Sequence, residues 1–214
     1  MGAAAQIEKA PAAPALLEPE DAGAVGMSTP SRIDLKQARI LIADDNPKAL
    51  DILSQVLMGF AVRHVIPCHG GAEVIDRISR ESADLLIIDG EMPEHDGIDV
   101  TLHVRSHPEG PNFTAPILIV SGFTPIHMVT RARDAGANWV ITKPIIPRVL
   151  LNRIEWLAKS PRPFITSPNY CGPDRRFQNL ALPEGVEERR AEAIRLMAQP
   201  DRVMRQDEID SVFD

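Results

Sequence analysis

Four polar clusters in this chain each follow a short apolar run, and their side chains are those that handle phosphate and divalent cations. Asp44-Asp45 follows Ile40–Ala43, Asp89 follows Leu85–Ile88, Ser121 follows Ile117–Val120, and Lys143 follows Trp139–Thr142. Three carboxylates brought together repel one another unless a cation sits among them. Hard oxygen donors of this kind suit Mg²⁺, which keeps several waters and takes one or two carboxylates. A hydroxyl and an ammonium facing the same cluster would meet the oxygens of a phosphoryl group. The chemistry these residues compose is metal-assisted phosphoryl transfer to the Asp89 carboxylate. Taken singly, Asp89 merely opens a solvated loop ahead of Met92-Pro93 and Asp96-Gly97.

The four clusters meet only if the strands that carry them end on one side of a sheet. Asp84–Asp89 is a continuous apolar run bounded by turn residues, which reads as a strand buried on both faces. Further strands are predicted over Ala38–Ala43, Val62–Pro67, Pro116–Val120 and Trp139–Ile141. Between them lie helical patterns. Asn46 caps the first, with Pro47 in its first turn, and Gly59 closes it. Gly70-Gly71 leads into the second through Val74, Ile75 and Ile78, and Asp96-Gly97 into the third, which ends near His107 before a Pro108–Pro111 loop. Thr124-Pro125 caps the fourth, which stops at Ala135-Gly136, and Pro147 starts a fifth through Leu157. Strands alternating with helices give an α/β fold, a doubly wound five-stranded parallel sheet, with the strand ends converging on one crevice. The organisation expected is a disordered leader over residues 1–35, a domain over 36–160, a proline-rich linker over 161–183 and a helical, acidic extension over 184–214.

The acidic pair, the Asp followed by Met-Pro and Asp-Gly, the Ser-Gly and the Lys-Pro stand in the order found in the receiver domain of two-component response regulators, which this chain resembles. The resemblance covers a little over half of the chain and implies the flavodoxin-like receiver fold. It implies that Asp89 accepts phosphate, that Asp45, Asp89 and the Glu91 carbonyl hold Mg²⁺ with help from Asp44, and that Ser121 and Lys143 bind the phosphoryl oxygens. It further implies a cis Lys143-Pro144 peptide, and a histidine kinase or phosphotransfer protein as phosphoryl donor. Two features depart from the family. Its aromatic three residues before the lysine is Val140 here, while Trp139 falls on the opposite face of the strand. Glu91 and Phe123 stand two residues after Asp89 and Ser121, bordering the phosphate.

Composition narrows the output. A net charge of −7 argues against a general polyanion binder, and no helix-turn-helix fits the segment after Ser160. The 2 cysteines form no metal or disulfide pattern, the 6 histidines are scattered, and Gly70-Gly71 lacks a dinucleotide fingerprint. With no apolar run of membrane-spanning length and no signal peptide, a cytoplasmic protein is expected, acting through protein contacts rather than on nucleic acid or membrane. Glu184–Met197 has helical composition. The end of the chain resembles the peptide by which the flagellar motor switch protein binds the chemotaxis receiver. Gln206, Asp207, Glu208, Ile209 and Asp210 match it, with Arg205 in place of its serine and Val212 in place of its leucine. Gln206, Glu208, Ile209, Asp210 and Phe213 are therefore candidates for contact with a receiver surface, this chain's own or another's. The expectation is a response regulator without enzymatic activity; a phosphate sink or adaptor is the nearest alternative. An aspartyl-phosphate phosphatase fits less well, because such enzymes place the nucleophile on the first strand with a second Asp two residues on, whereas Asp44 and Asp45 are adjacent.

Overall fold

The computed structural model describes residues 33–159, 162–167, 170–174 and 203–213. Five strands, β1 (Arg39–Ala43), β2 (His64–Cys68), β3 (Leu85–Asp89), β4 (Ile117–Ser121) and β5 (Trp139–Thr142), alternate with five helices. The helices are α1 (Pro47–Gly59), α2 (Gly71–Ile78), α3 (Gly97–Ser106), α4 (Ile126–Asp134) and α5 (Pro147–Lys159). The sheet runs β2-β1-β3-β4-β5 with every neighbouring pair parallel, the doubly wound arrangement that the alternation predicts. All residues of β3 and β4 are buried, because helices cover both faces of the central strands. Strand order reverses between β1 and β3, and open sheets of this type place ligand chemistry outside the carboxyl ends at such a point.

Helix ends follow their local chemistry. The Asn46 side chain accepts from the Lys48 amide at 3.0 Å, and Pro47 occupies the first turn of α1. Asp96 and Asp99 form a reciprocal capping box at the start of α3. Gly136, with φ of 98°, ends α4 as expected. α1 ends at Gly59 as expected, but the turn that closes it lies beyond that residue. The left-handed residue is Ala61, with φ of 68°. Val62 N–H donates to Leu57 O at 3.1 Å and Ala61 N–H to Met58 O at 2.9 Å. This paired closure keeps buried Val62 beside buried Leu57. Val62 is thereby spent on the turn, and β2 starts two residues later than predicted. Thr124 is the second difference. Its side chain makes no cap for α4, and the N-cap residue is Pro125.

Two elements follow α5. Part of the segment expected as a linker is an antiparallel hairpin, β6 (Phe164–Ser167) with β7 (Tyr170–Pro173). Phe164 packs on Phe113 and under the guanidinium of Arg105, 5.2 Å from its ring centre. Arg105 is buried with no carboxylate paired to it among the described residues, and donates to the carbonyls of Gly136, Phe113 and Ala115 at 3.2, 2.5 and 2.9 Å. Burial lowers its pKa to about 10, so it stays charged at neutral pH. The last element, α6 (Gln206–Phe213), lies against β5, α4 and α5, with Ile209 and Phe213 buried. Ile33 and Leu35 pack on the core just ahead of the expected domain start. The leader over residues 1–32, the rest of the linker and the helical stretch 184–197 lie outside the described residues.

Candidate functional site

β1 is followed by Asp44, β3 ends in Asp89, β4 ends in Ser121, and β5 is followed by Lys143. The parallel register sets Asp89 beside Val120 and Ser121 beside Thr142, so all four ends open on the same edge of the sheet. Carboxylate oxygens of Asp44, Asp45 and Asp89 lie within 4.8 Å of one another. Asp44 and Asp89 are buried and Asp45 is exposed. Lys143 closes the cluster: its Nζ lies 2.8 Å from Asp44 Oδ2 and 2.9 Å from Asp89 Oδ2. Asp44 Oδ1 accepts from the Asn46 amide at 2.9 Å, and Asp89 Oδ1 from the Glu91 amide at 3.3 Å. Residue 90 is glycine where the ends of β3 and β4 crowd together; a Cβ there would lie 2.9 Å from both the Ser121 Cβ and the Met128 Cε. The Ser121 hydroxyl donates to Phe123 O at 2.8 Å and accepts from Phe123 N–H at 3.1 Å. The Lys143–Pro144 peptide is cis.

The electrostatics follow from burial and charge together. Desolvation pushes the Asp89 carboxyl above its usual range, against the hydrogen bond and charge of Lys143, and Asp44 adds to the upward shift. Desolvation also opposes charge on Lys143, yet its bonds and attraction to Asp44 and Asp89 outweigh that and raise its pKa. The cluster thus holds two buried carboxylates against one ammonium, with Asp45 the third acid at the rim. A hard divalent cation fits this donor set: all donors are oxygens, and exposed Asp45 leaves the cation access to water. A cavity of about 370 Å³ between the ends of α2 and α3 contains none of these groups.

The sequence-predicted tail residues gather elsewhere, along the outer side of β5. Gln206, Asp210 and Phe213 contact that strand and Ile209 is buried, while the Glu208 carboxylate turns back to accept from the Arg205 amide at 2.9 Å. Val140, at the position of the family's aromatic, is fully buried. Trp139 is also fully buried, on the other face as alternation predicts, between Trp156 of α5 and Phe213 of α6. Sequence reasoning missed Trp139, Arg153, Thr124 and Thr142 as tail contacts. The available signal was a tryptophan on an edge strand, a residue type that a two-sided parallel sheet accommodates only if something else covers it. Phe123 is half-exposed and Glu91 exposed at the mouth of the acidic cluster.

Residues 40–155 match the model of the response regulator receiver domain. Among curated relatives, the chain is 32% identical over 117 residues to the transcriptional regulatory protein PdtaR of Mycobacterium tuberculosis, covering 55% of each protein. It is 29% identical over 154 residues to the sensory/regulatory protein RpfC of Xanthomonas campestris pv. campestris, covering 70% of this chain and 21% of that one. The chain therefore spans about half or less of the length of these relatives. A solved structure of a putative response regulator from Chloroflexus aurantiacus superposes with a TM-score of 0.51 at 31% identity, covering 55% of this chain and 94% of that one. A doubly wound sheet, an acidic cluster bridged by a lysine at its carboxyl edge, and a family match over residues 40–155 agree, and the chain belongs to the response regulator receiver domain family.

Proposed function

We propose that this protein is a phosphoacceptor response regulator in which Asp89 takes a phosphoryl group from a histidine kinase or phosphotransfer protein. The observation that carries the reading is the convergence of Asp44, Asp45 and Asp89 within 4.8 Å, with Lys143 bridging two of them. A carboxylate oxygen of Asp89 attacks phosphorus, the P–N bond to the donor imidazole breaks, and the electron pair leaves with the nitrogen. Asp44, Asp45, Asp89 and the Glu91 carbonyl would hold Mg²⁺, which would supply positive charge to the phosphoryl oxygens. Lys143 would give up one carboxylate contact for a phosphoryl oxygen, and Ser121 would donate its hydroxyl to another. The modification serves as a signal state rather than a step of turnover. The net charge of −7 and the acidic α6 support output through protein contacts rather than DNA, and a phosphohistidine donor supports action in the cytoplasm.

The test is intact-mass measurement after incubation with acetyl phosphate and Mg²⁺. The wild-type chain is expected to gain one phosphoryl mass and Asp89→Asn none, with the circular dichroism of the two proteins matching. An equal gain in Asp89→Asn would overturn the assignment, and rapid catalytic consumption of acetyl phosphate would favour a phosphatase.

A further inference from the structure

The two edges of the sheet are treated differently. On β2, His64 and Pro67 are exposed and Val65 and Ile66 half-buried. On β5, Trp139, Val140 and Ile141 are all buried, and the cover is α6 with the residues just before it. Exposed strand edges invite pairing, and covering one with a helix is a recurrent remedy. Here the cover carries polar groups matched to what lies beneath. The Gln206 carboxamide takes the place of a neighbouring strand's amide. Its Oε1 accepts from Thr142 N–H at 2.8 Å, and its Nε2 donates to Val140 O at 3.0 Å. Asp210 accepts from the Trp139 indole at 2.8 Å and pairs with Arg153, whose guanidinium lies 4.4 Å from the centre of the Trp139 ring. Phe213 stacks on the same indole, 5.5 Å between ring centres. Met204 and Thr124 exchange two bonds, Met204 N–H to Thr124 O at 2.8 Å and Thr124 Oγ1–H to Met204 O at 2.9 Å.

These anchors adjoin the phosphoryl site. Thr142 precedes Lys143, and Thr124 stands three residues after Ser121 in the loop that the Ser121 hydroxyl holds through both polar groups of Phe123. A phosphoryl group on Asp89 would draw that hydroxyl away from Phe123 O and draw Lys143 away from Asp44. Both movements disturb the backbone that presents Thr124 and Thr142 to the tail. On this geometry the unmodified site and the docked tail would favour each other.

We propose that residues 203–213 are a latch, recognised by Trp139, Arg153 and the outer edge of β5, that covers this face while Asp89 is unmodified and releases it on phosphorylation. The latch's control rests on the phosphoacceptor reading above; its recognition set does not. Release opens a face bearing an indole, a guanidinium and an unpaired strand edge, and that face is the output surface. A coupling of ordinary size moves the docked-to-free ratio by about 5–150-fold.

The test uses the full chain throughout. Amide exchange of residues 204–212 and the NMR resonance of the Trp139 indole N–H are followed with and without acetyl phosphate and Mg²⁺, while intact mass reports the phosphorylated fraction. In the unmodified protein the tail amides are expected to be protected. On phosphorylation their protection should fall about tenfold or more, with the indole resonance shifting toward its solvent-exposed position. Asp89→Asn should keep the tail protected under the same treatment. Asp210→Ala should lose protection without phosphorylation, yet still gain the phosphoryl mass. A phosphorylated wild type with unchanged tail protection would overturn the latch while leaving Asp89 as acceptor. An Asp210→Ala tail as protected as the wild type would overturn the recognition set. Absence of the mass gain would overturn the phosphoacceptor reading and the latch's control with it.

Discussion

At the scale of single residues, the site is a balance of buried charge in which Lys143 is the only described cation bonded to the carboxylates. Its side chain is 31% exposed, against 8% for Asp44 and 7% for Asp89. Removing one partner of a fully buried ion pair costs about 3–5 kcal/mol; partial exposure of the lysine reduces this to about 1–3 kcal/mol. Lys143→Met is therefore expected to destabilise the protein by that amount at pH 7 in the presence of a chelator. The pH dependence has a definite sign. The Asp89 carboxyl is already raised by burial, and losing Lys143 removes the group that pulls it down. A carboxyl raised in the folded state contributes stability below its unfolded pKa and loses it as pH rises through the folded value. In the variant that loss extends to higher pH, so the deficit should be small near pH 4 and grow toward neutrality. Urea denaturation of both proteins at a series of pH values reads it. A deficit that is flat with pH would mean that Lys143 contributes through packing of its stem.

At the scale of elements, the clearest legible features were those whose signal is local. Asn46-Pro47, Asp96-Gly97 and Gly136 each announce a helix end by a residue type whose backbone preference or side-chain acceptor is the cause of that end. The α1 terminus was read at the right residue, Gly59, but the turn beyond it was not legible because its signal is not local. Gly59 is the residue type that ends helices, but the turn is set by Leu57 and Val62 meeting in the core, which forces the left-handed conformation onto Ala61. That conformation costs a residue bearing a Cβ about 1 kcal/mol. Ala61→Gly is thus expected to raise stability by about 0.5–1 kcal/mol, less whatever the added freedom of glycine in the unfolded chain takes back. A rise in the denaturation midpoint at unchanged slope is the signature. A fall would show that unfolded-state entropy outweighs strain at this position. Thr124 and the β6–β7 hairpin were missed for a related reason. Their partners, Met204 for the first and Phe113 and Arg105 for the second, are distant in sequence and carry no periodic signal.

At the scale of the whole molecule, the acidic cluster and the tail meet through β5, and the sequence disclosed the first far better than the second. Asp44, Asp45, Asp89, Ser121 and Lys143 are polar residues at the ends of apolar strands, and parallel topology alone brings strand ends together. The tail's seat depends on an edge strand, a helix and a loop that share no spacing, so only its own pattern of Gln206, Glu208, Ile209, Asp210 and Phe213 was visible, and of these Glu208 turns away from the seat. The cluster also sets a property of the entire fold. Asp44, Asp45 and Asp89 come together only when β1 and β3 are paired, so a cation that needs all three binds the folded chain and not the unfolded one. Mass action then converts occupancy into stability, about 1.4 kcal/mol at a concentration ten times the dissociation constant. For a domain of this size that is a rise of about 3–6 °C in melting temperature. Asp45 is the informative position because it is exposed and its loss should leave the core unchanged. Mg²⁺ at ten times its dissociation constant is expected to raise the melting temperature of the wild type by this amount, and chelation to reverse it. Asp45→Ala should melt near the unliganded wild type and respond weakly or not at all. An equal Mg²⁺ response in Asp45→Ala would place the cation away from this cluster and return the three carboxylates to a structural role balanced by Lys143.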